Sequence, residues 1–407
     1  MDKNNELREK IQKEGLIASQ KSSFTVLAWA TGVGKTKVAV ELMKWLTLQG
    51  KNRFLIFVSE LFHKENWASE MKKWGFEGNV TIECYNSMSK HTEKSYDLII
   101  LDEMHHAGSD LRMDLLEQIY LKSKPKILGL SATVQPELID DIYSIVHEKV
   151  VNTITLDYAI NQGLVPKPKI HVIKLNLKDL DKIECFCEFK RGNYRNCKKK
   201  IVSLHQYWDY VKGKVADYYL EVRCTPQEKY NNICSRYDYL KNQAMGNSRY
   251  KMPWLACASE RKRFLADMKT QLVKKFLIEN DIFSKRFLCF AGSVAQIKEL
   301  GGDSAIHSKL TKKTQQQLLD DFNNKVINHL FAVGMLKEGM NLPDLQVGLI
   351  IQLDGNERDF VQKMGRLLRV DKPDIYIFYF QNTRDEVYLS RAMEGLDEEL
   401  ITYDIYN

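Results

Sequence analysis

Between an apolar run, FTVLAWA at 24–30, and an amphipathic stretch carrying Val38, Leu42, Trp45 and Leu46 lies the octapeptide WATGVGKT, residues 29–36. A strand, a glycine turn and a helix in that order leave little freedom. Gly32 and Gly34 let the backbone fold so tightly that successive N–H groups face one anion. The helix that follows offers its N-terminal N–H groups and its dipole to the same anion. Thr31, Gly32, Val33 and Gly34 form the cradle, Lys35 is placed for the β- and γ-phosphates, and Thr36 is placed for Mg²⁺. ATP and Mg²⁺ are therefore the expected cofactors. Trp29 occupies a slot that Gly or Ala usually fills, and it is expected to change packing rather than the class of ligand.

The loop predicts a parallel sheet around it, and the rest of the chain agrees. RFLIFV (53–58), YDLIILDE (96–103) and KILGLSAT (126–133) are continuous apolar runs separated by helical patterns, including one with Trp67, Met71 and Trp74 at i, i+4 and i+7. Such runs argue for strands covered on both faces. The pattern resumes with RFLCFA (286–291), HLFAVGM (329–335), VGLIIQL (347–353) and DIYIFYF (374–380). The expected fold is α/β, with one parallel-sheet lobe over 1–165 and a second over 256–407. Residues 166–255 read as a linker and an inserted, basic, helical subdomain.

LIILDEMHH (98–106) puts Asp102 and Glu103 at the end of a buried strand. Two adjacent carboxylates there are costly unless a metal or substrate uses them. After a phosphate loop, the first is expected to hold Mg²⁺ and the second to polarise an attacking water. His105 joins them as a candidate functional residue, while His106 reads as structural. Ser131 and Thr133 in LSAT (130–133) are placed to link this box to other parts of a site by hydrogen bonds. Near the C-terminus, QKMGRLLR (362–369) spaces Gln362, Arg366 and Arg369 at i, i+4 and i+7. On a helix these three share one face.

Together these stretches resemble the superfamily 2 helicases and translocases of the DExH type. ATGVGKT looks like motif I, DEMH motif II, SAT motif III and QKMGRLLR motif VI. SELFHKENWASEMKKWG (59–75) is similar to motif Ia, FLCFAGS (287–293) to motif IV and VGMLKEGMNLPD (333–344) to motif V. The resemblance is to the DNA-repair and restriction-motor branch, phage-type helicases included, more than to the DEAD-box RNA branch, whose upstream Gln motif is not found. It implies two RecA-like lobes with ATP between them. It also implies that Gln362, Arg366 and Arg369 reach the nucleotide from the second lobe, the arginines neutralising γ-phosphate charge. Gly339 matches the motif V glycine, and Asn341 takes a slot often filled by Asp near the ribose. Gly334 stands where many relatives carry Thr or Ser facing the nucleic-acid backbone.

A motor of this kind grips phosphates, so its contacts are sequence-neutral. Ser59 and Ser293 are candidate phosphate donors, with strand-end turn residues as the other reading. In KRGNYRNCKKK (190–200), Lys190, Arg191 and Tyr194 are candidates for phosphate binding and base stacking, with a solvated loop as the alternative. Cys185, Cys187, Cys197 and His205 do not match a common zinc spacing. Trp208, Tyr210, Tyr218 and Tyr219 read as the packing core of the insert. The net charge of +7 on 407 residues is compatible with a polyanionic partner. No membrane span or secretory signal is read, and the eight Cys show no disulfide framework. The expected protein is a monomeric, cytoplasmic, nucleoid-associated or viral ATPase. Its expected partner is nucleic acid, DNA ahead of RNA, with a separate nuclease or a replication or repair protein as a further partner. An RNA helicase, an ATP-gated clamp, a restriction-type motor subunit and a small-molecule kinase are the alternatives, the last disfavoured by the second lobe.

Overall fold

The computed structural model describes residues 3–60, 63–133, 135–180, 183–333, 342, 344–353, 357–368 and 372–406. The first lobe begins with α1 (Lys3–Lys21), β1 (Phe24–Trp29), α2 (Lys35–Thr47), β2 (Phe54–Val58), α3 (His63–Lys73) and β3 (Val80–Cys84). It continues through β4 (Leu98–Asp102), α4 (Asp110–Ser123), β5 (Lys126–Ser131), α5 (Pro136–Val146), β6 (Val150–Ile154) and α6 (Leu156–Asn161). The strands form a parallel sheet in the order β3-β2-β4-β5-β1-β6. Every residue of β1 and β2 is buried, which is why these strands read as unbroken apolar runs rather than as alternating ones.

The chain then runs through β7 (Lys169–Leu175), β8 (Cys185–Arg191), β9 (Lys200–Val202), α7 (Leu204–Lys212), β10 (Tyr218–Cys224), α8 (Pro226–Gly246) and α9 (Lys251–Glu279). It closes with β11 (Phe287–Ala291), α10 (Val294–Gly301), β12 (Ala305–Ile306), α11 (Lys312–Asn323), β13 (His329–Val333), β14 (Val347–Ile350), α12 (Glu357–Leu367), β15 (Asp374–Phe380), α13 (Arg384–Met393) and β16 (Ile401–Ile405). The second lobe is again a parallel sheet, in the order β12-β13-β11-β14-β15-β7-β16. So β7, from the stretch the sequence pattern gives to the linker, lies inside the second sheet.

The insert is mixed rather than helical. β8, β10 and β9 make a small sheet, with β8 antiparallel and β9 parallel to β10. In CFCEFKR, Cys185 and Cys187 turn inward while Glu188 and Lys190 face out. Charged residues on the open face hid that period-two pattern. α7 and α8 each start with a capping box, Ser203 with Gln206 and Thr225 with Glu228. Tyr218 is buried and Tyr210 packs beside it, but Trp208 is 49% exposed and does not belong to the insert's core. No helix among the described residues is long and apolar enough to cross a membrane.

α9 begins in the insert and ends deep in the second lobe, where it carries a buried ion pair. Lys269 Nζ lies 2.6 Å from Asp385 Oδ2 and donates to the Ile351 carbonyl at 2.9 Å and to Gln352 Oε1 at 3.1 Å. Asp385 also accepts from Gln352 Nε2 at 2.9 Å and from the Phe380 N–H at 3.2 Å. Burial pushes the Lys269 pKa down and the Asp385 carboxylate opposes that shift. Removing one partner strands the other charge. Lys269→Met is therefore expected to destabilise the second lobe by about 3–5 kcal/mol, whereas Lys269→Met/Asp385→Leu recovers most of the loss. Scanning calorimetry of both variants checks this.

Candidate active site

The carboxyl ends of parallel strands are where open α/β sheets bind ligands. Here the phosphate loop leaves the end of β1, the acidic pair sits at the end of β4, and α12 crosses over from the second lobe. A cleft of about 830 Å³ collects Thr31, Lys35, Thr36, Asp102, Glu103, Gln362 and Arg366. That volume lies within the range of small-ligand sites.

The loop is built around two left-handed glycines, Gly32 at φ 93° and Gly34 at φ 109°. A Cβ on Gly34 would also stand 2.2 Å from Gln12 Nε2. Gln12 was not foreseen from the sequence. It projects from α1, is 8% exposed, and donates to the Val33 carbonyl at 2.9 Å. A neutral side chain among charged neighbours in KIQKEG gave no periodic signal. The helix immediately ahead of β1 was the place to look. Trp29 behaves as expected for a packing residue. It is fully buried, its indole donates to Asn152 Oδ1 at 2.8 Å, and its ring fills the space beside Gly15.

Lys35 Nζ donates to the Trp29 carbonyl at 2.6 Å. Burial pushes its pKa down, and the Glu103 and Asp102 carboxylates push back. Asp102 is fixed from two sides. Its carbonyl accepts from the Tyr85 hydroxyl at 2.9 Å, and its Oδ2 accepts from the Trp67 indole at 2.8 Å. Glu103 adopts a left-handed backbone, φ 47°. His105 Nδ1 lies 3.6 Å from Glu103 Oε2, and the His105 ring sits 4.1 Å from that of His106. Ser131 donates to the Thr133 carbonyl at 2.7 Å, a bond local to its own loop.

Gln362 and Arg366 are both buried and face the cleft from α12. The approach is close. A Cβ on Gly365 would come 2.4 Å from the Thr31 Cβ, so glycine is what lets this helix rest on the phosphate loop. Arg369, Gly339, Asn341 and Gly334 lie outside the described residues.

The candidate nucleic-acid residues sit elsewhere. Ser59 Oγ is 3.3 Å from His63 Nδ1. Ser293 caps α10 by accepting from the Gln296 N–H at 3.1 Å and donates to Asp267 Oδ1 at 3.3 Å. Lys190 pairs with Glu188 at 2.7 Å and stands over the Tyr219 and Tyr194 rings at 4.7 and 5.7 Å. Lys190, Tyr219 and Lys199 hold the Glu188 carboxyl down to about 2. Arg191 is exposed at the end of β8. Cys187 Sγ lies 3.5 Å from Cys224 Sγ, while His205 is exposed beside Asp209. Among the described residues no three ligating side chains gather as a metal site.

Two family models match, one on each side of the insert. Residues 3–136 match the type III restriction enzyme res subunit, and residues 268–371 match the helicase conserved C-terminal domain. The chain is 23% identical over 385 residues to the DNA 3'-5' translocase XPB2 of Sulfurisphaera tokodaii, an alignment covering 89% of this chain and 79% of that one. Among solved structures, the Hef helicase domain of Pyrococcus furiosus superposes with a TM-score of 0.54 at 13% identity, covering 94% of this chain and 97% of that one. Dbp5 of S. cerevisiae bound to RNA and ADP BeF3 gives 0.59 at 12% identity, covering 97% and 89%. These two share the fold of paired RecA-like lobes.

Gly365→Ala tests the contact between the lobes. The variant is expected to fold and to bind nucleotide on the first lobe. A misplacement of about 1 Å between reacting groups costs about 100-fold in turnover. Separate measurements of kcat and of nucleotide affinity check that split.

Proposed function

We propose that this chain, which belongs to the superfamily 2 helicases and translocases, is a nucleic-acid-dependent ATPase that moves along DNA and unwinds or remodels it. The observation that carries the reading is the shared cleft. Lys35, Asp102 and Glu103 of one lobe and Gln362 and Arg366 of the other face the same space. The likeness to a DNA translocase over most of the chain supports DNA as the track. The ATP-gated clamp and the RNA helicase have no comparable support, and the likeness to the type III restriction res subunit is confined to residues 3–136.

The residues fit ATP and Mg²⁺. A Cβ at Gly34 would run into Gln12, and a half-buried lysine faces two carboxylates at the mouth of the cradle. Thr36 and Asp102 are the residues that would hold Mg²⁺, which when bound would neutralise phosphate charge. In this reading Lys35 leaves the Trp29 carbonyl for the β- and γ-phosphates, and the N–H groups of Thr31–Thr36 wrap them. Glu103 orients and polarises the attacking water, with His105 beside it to carry a change at the carboxylate away from the site. Arg366 meets charge that builds on the γ-phosphate, and Gln362 senses its presence. Arg369, Gly339 and Asn341 complete the set by their motif positions. Closing on ATP and opening after hydrolysis then alternates the grip of the two lobes on the backbone. Ser59 and Ser293 contribute to that grip, and Lys190, Arg191 and Tyr194 extend it to the insert.

ATPase rates measured with single-stranded, duplex and forked DNA and with RNA test the proposal. DNA is expected to stimulate turnover most. A folded protein that none of them stimulates overturns it. Lys35→Ala and Glu103→Gln should abolish turnover, with Glu103→Gln still binding ATP. Arg366→Ala should lower kcat by about 10³-fold or more. Triplex displacement separates movement from a static clamp.

A further inference from the structure

α3 grows out of the segment at Ser59 and lines one wall of the cleft with His63, Asn66, Trp67 and Glu70. Besides the Lys64–Glu83 pair, contacts at its start, its middle and just past its end tie it to its surroundings. Ser59 Oγ meets His63 Nδ1 at 3.3 Å at its start. Trp67 Nε1 donates to Asp102 Oδ2 at 2.8 Å in its middle. Just past its end, Lys37 stands over the Trp74 ring at 4.7 Å, and Lys37 follows Thr36 directly.

The middle contact is the informative one. Trp67 is 3% exposed, so water competes little for its N–H. A donor aimed at an ionised carboxylate makes one of the stronger hydrogen bonds available to a protein. Asp102 ends β4, where the ladder fixes its backbone but not its side-chain torsion. The Tyr85 hydroxyl holds its carbonyl, and the indole then selects one orientation of the carboxylate. Groups that hydrogen-bond a ligating carboxylate set its orientation and tune metal affinity.

We propose that Trp67 is a positioning residue for the metal-holding carboxylate. Its indole N–H sets the orientation of Asp102 and makes α3 a direct link between the Ser59 segment and the metal end of the cleft. This rests on the reading of Asp102 as the residue that holds Mg²⁺. The link runs both ways. A shift of α3 when Ser59 engages a phosphate turns the carboxylate, and an engaged carboxylate resists movement of α3. A buried indole that merely needs an acceptor would give the same geometry but no such coupling.

Trp67→Phe keeps the ring and removes the donor. The measurement is binding of a fluorescent ATP analogue, titrated with Mg²⁺ and repeated in EDTA. The expected result is a rise of roughly tenfold in the Mg²⁺ concentration needed for tight binding, with affinity in EDTA unchanged. Equal Mg²⁺ dependence in variant and wild type overturns the proposal, as does an equal loss of affinity with and without Mg²⁺. Asp102→Asn run beside it keeps the two readings apart. If Asp102→Asn shifts the Mg²⁺ dependence and Trp67→Phe does not, only the role of Trp67 fails. If neither does, the assignment of Asp102 fails with it. A second measurement needs no change at Trp67. Of the six tryptophan indole N–H resonances of the ¹⁵N-labelled chain, one is expected to lie downfield and to move in Asp102→Asn, and six unmoved resonances overturn the proposal.

Discussion

A lysine side chain drawn partly out of water into a cleft is stabilised by nearby anions or by a ligand that supplies negative charge. Lys35 is held in that position by the loop that follows β1, and its surroundings follow from the need to answer it. Asp102 and Glu103 reach it from the neighbouring end of β4 because a parallel sheet brings the carboxyl ends of β1 and β4 to one edge, with β5 between them. Those carboxylates only partly offset the burial, since the pKa of Lys35 still lies below its ordinary value. A polyphosphate in the cleft would complete the compensation with more negative charge at closer range. Lys35 donates to the Trp29 carbonyl, a neutral acceptor weaker than a phosphate oxygen.

The second lobe answers the same constraint from the opposite side. Arg366 is a cation that cannot lose its proton, and it is buried in the same cleft. Bringing it near Lys35 is unfavourable unless the charge between them is negative. The helix can still come close because position 365 has no side chain to collide with Thr31. Steric permission and electrostatic reluctance are thus set against each other in one turn of α12. Such a balance responds to the charge of the ligand, which is how a cleft can distinguish a triphosphate from a diphosphate.

What the sequence made legible was the chemistry whose spacing is local. The glycines of the phosphate loop, the Asp102–Glu103 pair and the Gln362–Arg366 helix face each lie within one turn or one strand end. Their residue types suit an anion, a metal and the helical repeat, and the structure brings them to one cleft. Gln12 and Trp67 were missed as site residues for the opposite reason. Each acts through a contact with a residue far along the chain, Val33 and Asp102, and neither leaves a periodic mark. Trp67 reads as part of an apolar helix face, and its ring does pack inward while its N–H reaches the carboxylate. The small sheet of the insert was hidden by composition. Alternating Cys and Phe on β8 look like a weak pattern once Glu188, Lys190 and Arg191 are interleaved.

The placement of β7 changes how the insert must move. β7 precedes the insert in the chain, yet it pairs with β15 on one side and β16 on the other. The chain therefore enters the insert from the second lobe. It returns along α9, whose Lys269 is buried against Asp385 and the end of β14. Both junctions of the insert are rooted in the second lobe, one by a full strand ladder and one by a desolvated ion pair. The insert is thus anchored on both sides to the second lobe. In the proposed cycle, closure of the lobes would move the face carrying Lys190 and Arg191 relative to Ser59 on the first lobe. A segment that composition presents as a loose linker thus becomes a lever fixed to one half of the motor.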